Sequence, residues 1–128
     1  MKLQEIKDWL DRVLDDDKIS VFFRDIGKGF SNLIKWFPVI WNDRQWDHFF
    51  ILQMLKFKLE LMSKFFKTKA LAMRSEEDAA NMDKCIHLLD RILKDDYKGS
   101  YAHQDYLLKQ DLALLFETMR KQVRCWWD

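Results

Sequence analysis

Apolar residues recur at intervals of three and four along most of this 128-residue chain, and few residues interrupt that spacing. Side chains three and four positions apart lie on one face of an α-helix, so the spacing is typical of amphipathic helices. The chain has only three glycines and one proline, the residues that most often end helices or make tight turns. The sequence therefore predicts an all-α fold, a helical bundle of about five helices.

Five segments follow the pattern, and we expect them to form a single helical domain over residues 1–128. Their predicted bounds are 3–14, 19–37, 45–73, 75–97 and 105–127. Residues 1–17 would form an N-terminal helix and an acidic connection, and residues 18–128 the core bundle. The third segment is apolar around most of its circumference, so we expect it to be a long central helix, buried by neighbours on two sides.

Particular residues mark the predicted helix ends. Pro38 should end the second helix, because the residue before a proline is pushed out of the α region. Residues 98–100, Lys-Gly-Ser, predict a turn. Short polar side chains can accept hydrogen bonds from the first backbone N–H groups of a helix. The candidate N-caps of this kind are Asp17, Asn42 or Asp43, and Ser75.

Charge and composition narrow the classes of function. The chain has 22 basic and 21 acidic residues, a net charge of +1, which gives no whole-chain argument for nucleic-acid binding. Cys85 and Cys125 are far apart and suit packing in a reducing compartment. The N-terminus is too charged for a signal peptide, and no uncharged run is long enough to span a membrane. We expect a cytoplasmic protein.

The sequence carries no motif for catalysis or metal binding. There is no Walker-type loop, GxGxxG or GxSxG, and no HExxH. His48, His87 and His103 are scattered over three segments. His87 has Asp83, Asp90 and Arg91 within helical reach, but the ligand spacing of a metal site is missing, so we interpret it as a solvated residue. We predict a protein that is not an enzyme and has no cofactor.

The stretch 36–48 is the best candidate for a binding site. It contains three of the six tryptophans and the only proline. Arginine and tryptophan together suit a planar or anionic ligand, through stacking and bidentate hydrogen bonds, and a helix start favours phosphate. The predicted ligand-binding residues are Trp41, Arg44, Trp46, Asp47 and His48, joined by Arg91 and Tyr97 of the fourth helix. Residue types alone favour a structural alternative, with the tryptophans as hydrophobic plugs and Arg44 paired to Asp47 or Asp43.

Two other regions predict contacts with further molecules. Aromatic residues are 15% of the chain, which is more than so small a protein can easily bury. The second helix and the chain end supply the predicted interface of a homo-oligomer, through Phe22, Phe23, Phe30, Trp126 and Trp127. The second helix has a mostly basic polar face and could instead lie on an anionic membrane surface; packing is the interpretation we favour.

Part of the chain resembles a family of small, uncharacterised helical proteins encoded by tailed bacteriophages. The resemblance rests on Trp-Asn-Asp-Arg-Gln-Trp-Asp at 41–47, on the long helix that follows, and on Leu-Leu-Asp-Arg at 88–91 leading to acids and Tyr97. It covers roughly residues 30–97. The family has no established activity, and the resemblance implies an accessory role in the cytoplasm of an infected bacterium.

Residue types and resemblance together suggest a phage accessory, anti-defence protein. It would bind and sequester an anionic, nucleotide-derived signal molecule without chemical change. The alternative is a protein-interaction module that inhibits a bacterial host protein or serves as a virion component. The predicted partners are a second copy of the chain, a small anionic nucleotide and a host protein, in preference to nucleic acid or a membrane surface.

Overall fold

A computed structural model of the protein describes residues 2–13, 16–41, 43–44 and 46–127. These contain α1 (Leu3–Val13), α2 (Asp16–Ile40), α3 (Phe49–Thr68), α4 (Ser75–Lys94) and α5 (Tyr101–Gln122), followed by a 3₁₀ turn at Val123–Cys125. The described residues include no strand. The all-α prediction with about five helices is confirmed. None of the described helices combines the length and the apolar character needed to cross a bilayer.

The chain is organised as two compact units. Unit 1 (Met1–Asn42) contains α1 and α2, and unit 2 (Asp43–Asp128) contains α3, α4, α5 and the 3₁₀ turn. The predicted acidic connection before residue 18 is wrong in part, because α2 already begins at Asp16. The predicted end of the first helix at Leu14 lies outside the described residues.

Helix α2 is longer than predicted at both ends. Asp17 lies inside the helix, so its assignment as an N-cap is wrong. Pro38 also lies inside the helix, and the prediction that it ends α2 is wrong. A proline has no backbone N–H, so α2 lacks the hydrogen bond that residue 38 would donate to the Ile34 carbonyl. Beyond it, the backbone N–H of Trp41 still donates to the Phe37 carbonyl at 3.0 Å.

Helix α3 is shorter than predicted, because the residues before Phe49 and after Thr68 are not helical. The predicted start at Gln45 and the candidate cap Asn42 lie outside the described residues. At the start of α3, the Asp47 carboxylate accepts a hydrogen bond from the Phe49 N–H at 3.0 Å. Asp47 therefore satisfies one of the unpaired donors of the helix start, a role that the sequence assigned to Asn42 or Asp43.

Helix α4 begins at Ser75, so Ser75 is the first helical residue and its prediction as the N-cap is wrong. The first turn contains acidic residues and the last turn contains Arg91 and Lys94, which complements the helix macrodipole at both ends. Arg74, just before the helix, places its guanidinium on the Glu77 carboxylate at 3.1 and 3.3 Å. These contacts define the start of α4.

The connection from α4 to α5 contains the predicted turn, which is confirmed. Gly99 has φ +108°, and a Cβ at this position would lie 2.8 Å from the His103 ring. Only glycine adopts such a conformation readily, and here the available space also requires it. The Ser100 hydroxyl then accepts a hydrogen bond from the His103 N–H at 3.3 Å and caps α5.

The core of unit 2 is built on α4. Both α3 and α5 pack against it. Two contacts show that α3 runs antiparallel to α4: Ser63 bonds Asp83 at 2.5 Å, and Lys56 bonds Asp90 at 2.7 Å. The buried apolar residues come from all parts of unit 2: Leu52, Leu59, Phe66, Ala79, Met82, Cys85, Leu88, Leu89, Ile92, Leu115 and Trp126.

The helix with neighbours on two sides is therefore α4, and the expectation that the third helix holds this place is corrected. Part of the apolar surface of α3 stays exposed, at Ile51 and Phe65 for example. Leu52, Leu59 and Phe66 of α3 belong to the core that it shares with α4. An apolar circumference shows how much surface a helix could bury, whereas the neighbours decide how much it does bury.

The position of α4 leads to a prediction for the free energy of unfolding. Met82 is completely buried, and Met73, before α4, is fully exposed. Replacing Met82 by alanine leaves a cavity among packed side chains, so we expect Met82→Ala to lower the free energy of unfolding by about 2–5 kcal/mol. Met73→Ala removes the same atoms from solvent and should change it by less than about 0.5 kcal/mol. Urea denaturation followed by circular dichroism measures both; equal losses would contradict the described core.

Candidate functional site

The predicted tryptophan and arginine stretch is divided between the two units. Trp41 lies in unit 1, where its ring centre is 5.0 Å from that of Phe37. Arg44, Trp46 and His48 lie in unit 2, and all three are exposed. The His48 ring is 4.4 Å from the Phe49 ring. No pocket described below is lined by any of these side chains.

Asp47 holds the start of α3 in place. Its N–H donates to the Arg44 carbonyl at 2.9 Å, and its own carbonyl accepts from the Phe50 N–H at 3.1 Å. With the bond from the Phe49 N–H to its carboxylate, three contacts fix the backbone at this point. The geometry gives Asp47 a structural role in organising the helix start. The structural alternative for this stretch made Trp41 and Trp46 hydrophobic plugs, and that part of it is wrong, because both side chains are largely exposed.

The other two predicted residues, Arg91 and Tyr97, meet at a residue that the sequence analysis did not name. Arg91 Nε donates to Asp111 Oδ2 at 3.1 Å, and Arg91 Nη2 makes a close contact with Asp111 Oδ1. The Tyr97 hydroxyl donates to Asp111 Oδ2 at 2.6 Å. One carboxylate of α5 thus binds the last turn of α4 and the loop after it. We call these three residues the Asp111 cluster.

The Asp111 cluster keeps a negative charge inside the protein. Burial by itself would raise the pKa of Asp111, but the hydrogen bonds from Arg91 and Tyr97 outweigh it and hold that pKa below its ordinary value. Burial and the bond to the carboxylate raise the pKa of Tyr97 well above its usual range. Asp111 is therefore ionised and Tyr97 protonated at neutral pH, which is the pairing that the hydrogen bonds require.

Arg91 is buried on one side only. Its side chain is 51% exposed, whereas that of Asp111 is 4% exposed. Two of its three guanidinium nitrogens are engaged by Asp111, and Nη1 has no acceptor among the residues that the structure describes. The guanidinium is thus held in a fixed orientation with one edge towards solvent. A fixed arginine of this kind is suited to bind an anionic group.

A groove between α4 and α5 opens beside Arg91. Its volume is about 750 Å³, within the range of small-molecule sites. Both helices supply its walls: Ala80, Asn81, Asp83, Lys84, His87, Leu88 and Arg91 from α4, and Leu114, Thr118, Lys121 and Gln122 from α5. We call it the α4–α5 groove. A second pocket of about 480 Å³ adjoins it through Arg91 and is lined also by Lys94, Asp96, Tyr97, Leu107 and Asp111.

Basic groups dominate the α4–α5 groove. Lys84, Arg91 and Lys121 carry positive charge, and Lys84 makes no ion pair with any described residue. The only acidic residue of its lining is Asp83. That carboxylate is already bound by Lys67 at 2.6 Å and by the Ser63 hydroxyl. The groove therefore favours an anion over a cation.

Asp83, Ser63 and Lys67 form a polar contact between α3 and α4. Burial alone would raise the pKa of Asp83, but the bonds from Lys67 and Ser63 outweigh it and lower that pKa. Ser63 is buried, and its hydroxyl donates to the Asp83 carboxylate at 2.5 Å. The cluster fixes the register of two helices. Across the described ranges, no three side chains of the types that bind metals lie together as a metal site would require.

The predicted interface residues lie in very different surroundings. Phe22, Phe23 and Phe30 of α2 are exposed. Trp126 is buried in the core of unit 2, so it docks on the body of its own chain. Trp127, the next residue, is exposed. Trp126 therefore packs in the core, and of these two tryptophans only Trp127 is available to a partner.

Comparison of the chain with protein-family models, with curated proteins and with solved structures finds no match. The assignment of a function therefore depends on the geometry of the Asp111 cluster and the α4–α5 groove.

Sequence reasoning identified Arg91 and Tyr97 but missed most of the groove. Lys84 and Lys121 were not singled out, and His87 was interpreted as a solvated residue. The spacing of Lys84, His87 and Arg91, three and then four positions, places all three along one line of α4 and could have indicated a basic face. Asp111 lies in the apolar register of α5, three after Leu108 and four before Leu115, which is the pattern of a buried polar residue.

The Asp111 cluster predicts a specific loss of stability. Asp111→Asn keeps the shape but removes the charge that accepts three donors, so we expect the free energy of unfolding at pH 7 to fall by about 1–3 kcal/mol. Asp105→Asn, on the same helix, disrupts only an exposed pair with Lys109 and should cost less than about 1 kcal/mol. Urea denaturation of the two variants and the wild type measures the difference.

The pH dependence of the same measurement has a definite sign. The pKa of Asp111 is lowered in the folded state. Its contribution is therefore present above the unfolded value of about 3.9 and disappears as the pH falls towards the folded value. The difference between wild type and Asp111→Asn should shrink below about pH 4. A difference that stays constant from pH 7 to pH 3 would contradict the ionised cluster.

Proposed function

We propose that the protein binds a small anionic ligand, derived from a nucleotide, in the α4–α5 groove, and that it acts by sequestering this ligand. The observation that carries the proposal is the guanidinium of Arg91. The buried Asp111 carboxylate orients it, and Arg91 lines the groove with a side chain that stays 51% exposed. Because Asp111 fixes the orientation before any ligand arrives, binding requires little further ordering of the arginine side chain.

The charges around Arg91 support an anionic ligand. Lys84 and His87 continue along the same face of α4, and Lys121 faces them from α5. Lys121 is 3.5 Å from Glu117 and can turn to a ligand at the cost of an exposed ion pair, which stabilises a protein little. Phosphate groups are among the anions that such sets of arginine and lysine bind.

The remaining lining supports a ligand larger than inorganic phosphate. Asn81, Thr118 and Gln122 offer amide and hydroxyl groups that can bind a sugar or a base. Leu88 and Leu114 provide apolar surface between them. The adjoining pocket at Tyr97 shares Arg91 with the groove, so one ligand could contact both. A nucleotide has the required anionic, polar and planar parts.

The resemblance to phage proteins supplies the biological setting of the proposal. A phage protein that holds a nucleotide signal of the host would keep that signal from its receptor, and this is the anti-defence role that we propose. The groove offers charged and hydrogen-bonding groups for holding such a ligand. Tyr97 is bound to Asp111 and lines the adjoining pocket, whereas Arg91 is bound to Asp111 and also lines the groove itself.

Isothermal titration calorimetry tests the proposal. The titrants are linear and cyclic mono- and dinucleotides, with inorganic phosphate as the simplest anion. We expect at least one nucleotide to bind, more tightly than phosphate does. Lys84→Ala removes an unpaired charge from the groove and should weaken that binding by roughly tenfold, because a charge-assisted hydrogen bond contributes about 1.5–3 kcal/mol. Arg91→Lys keeps the positive charge but loses the planar guanidinium and its paired N–H donors. It should therefore weaken binding at least as much as Lys84→Ala does.

Lys58→Ala is the matched control. Lys58 is an exposed lysine of α3 and does not line the groove. This variant should bind as the wild type does. Failure of every nucleotide to bind would overturn the proposal, and equal binding by Lys84→Ala and Lys58→Ala would place the ligand elsewhere. Chromatography of the ligand after incubation tests sequestration, since any conversion of the nucleotide would contradict it.

A further inference from the structure

We infer that α2 carries an apolar seam through which the protein associates with a second copy of itself. Seven apolar residues of this helix alternate at spacings of four and three: Ile19, Phe23, Ile26, Phe30, Leu33, Phe37 and Ile40. We call them the α2 seam. This is the a/d pattern of a heptad repeat, by which helices pack side by side in coiled coils. The inference concerns unit 1 only and is independent of the groove in unit 2.

The α2 seam is exposed in the single chain. From Phe23 to Ile40, its side chains are between 42% and 66% exposed. Single exposed apolar residues are common on protein surfaces, but a continuous row along a helix of this length is typical of an interface. Phe22 and Ile34, which flank the row, are exposed to a similar or greater degree. Exposed apolar surface therefore extends beyond the α2 seam on both of its sides.

The distribution of charge along α2 fits a second helix of the same sequence. Between residues 17 and 40, every charged residue falls at a heptad position that faces away from the seam: Asp17, Lys18, Arg24, Asp25, Lys28 and Lys35. The flanking e and g positions of that range hold no charge and are occupied by Ser20, Phe22, Gly27, Gly29, Ile34 and Trp36. Charges at e and g set the choice of partner in coiled coils. Their absence removes like-charge repulsion between identical helices.

The two glycines of α2 are also explained by a second copy. Glycine weakens a helix interior, and a Cβ at Gly27 or at Gly29 would meet no atom of the chain within 4 Å. Packing within the chain therefore gives no reason for them. They flank the seam on its two sides, at the level between Ile26 and Phe30. Small residues at this level let the backbone of a neighbouring helix approach closely.

The apolar area is sufficient for a stable interface. Full burial of an aromatic side chain removes roughly 150–250 Å² from water, so Phe23, Phe30 and Phe37 alone offer roughly 300–400 Å² at their observed exposures. The aliphatic residues of the seam and the flanking Phe22 and Ile34 add a comparable area. The total approaches the roughly 800 Å² per partner that stable complexes bury. A second copy presents the same repeat and can match it along the whole helix.

The experiment measures the mass of the full-length protein in solution, by size-exclusion chromatography with light scattering. We expect wild type at micromolar concentration to have a mass that is a multiple of 15.7 kDa. Phe30→Asp and Leu33→Asp place a charge in the seam and should lower that mass at least twofold. Ser31→Asp and Asn32→Asp introduce the same residue at the neighbouring outward positions and should leave the oligomer intact.

Circular dichroism of each variant measures whether its helices persist. If both aspartate variants lose helix, Phe30→Ala and Leu33→Ala replace them, since alanine favours a helix, and each should weaken association at least tenfold. A monomeric wild type would overturn the inference, and so would seam variants that remain as oligomeric as their controls. The monomeric wild type is then incubated with anionic vesicles, and co-sedimentation would assign the seam to a membrane surface.

Discussion

The buried Asp111 carboxylate is the polar interaction that joins α4 and α5 in unit 2. Asp111 lies on the inner side of α5, where an unpaired charge would be very unfavourable, and it is ionised because Arg91 and Tyr97 both donate to it. These bonds join the end of α4, the loop that follows it and the middle of α5. They also fix the orientation of the one arginine that both pockets share. The interaction that holds the α4–α5 pair together is thus also the one that prepares its surface for an anion.

The sequence predicted the helices well and their ends less well. Apolar periodicity locates a helix because every turn contributes to it, whereas an end depends on one or two residues. Pro38 shows the difficulty: the residue before a proline is disfavoured in the α region, which predicts a boundary there, yet α2 continues to Ile40. The arrangement of helices was harder still. Short connections at 69–74 and 95–100 place α4 between α3 and α5, although α3 is the more apolar helix.

The candidate site was predictable only in part, for a physical reason. Arg91 and Tyr97 were chosen by residue type, and the structure brings them together. Their common partner is a polar residue in an apolar register, and such a residue indicates burial without revealing which distant side chain satisfies it. For the tryptophan stretch, residue types predicted a site that the position of the residues does not support. Arg44 and Trp46 have suitable chemistry, but they precede α3 on an exposed segment, and the walls of a groove require two helices side by side.

Helix α4 shows how stability and binding can be distributed over one element. Met82, Cys85, Leu89 and Ile92 face the core, whereas Lys84 and His87 lie along the groove. Substitutions on the first face should act on folding, because they remove buried contacts. Those on the second face should act on the proposed binding, because they change charge in solvent. Arg91 belongs to both, since its guanidinium is bound to the buried Asp111 on one side and open on the other. A loss of binding at Arg91 therefore has to be compared with a loss of stability in the same variant, whereas the same loss at Lys84 reports on the ligand alone.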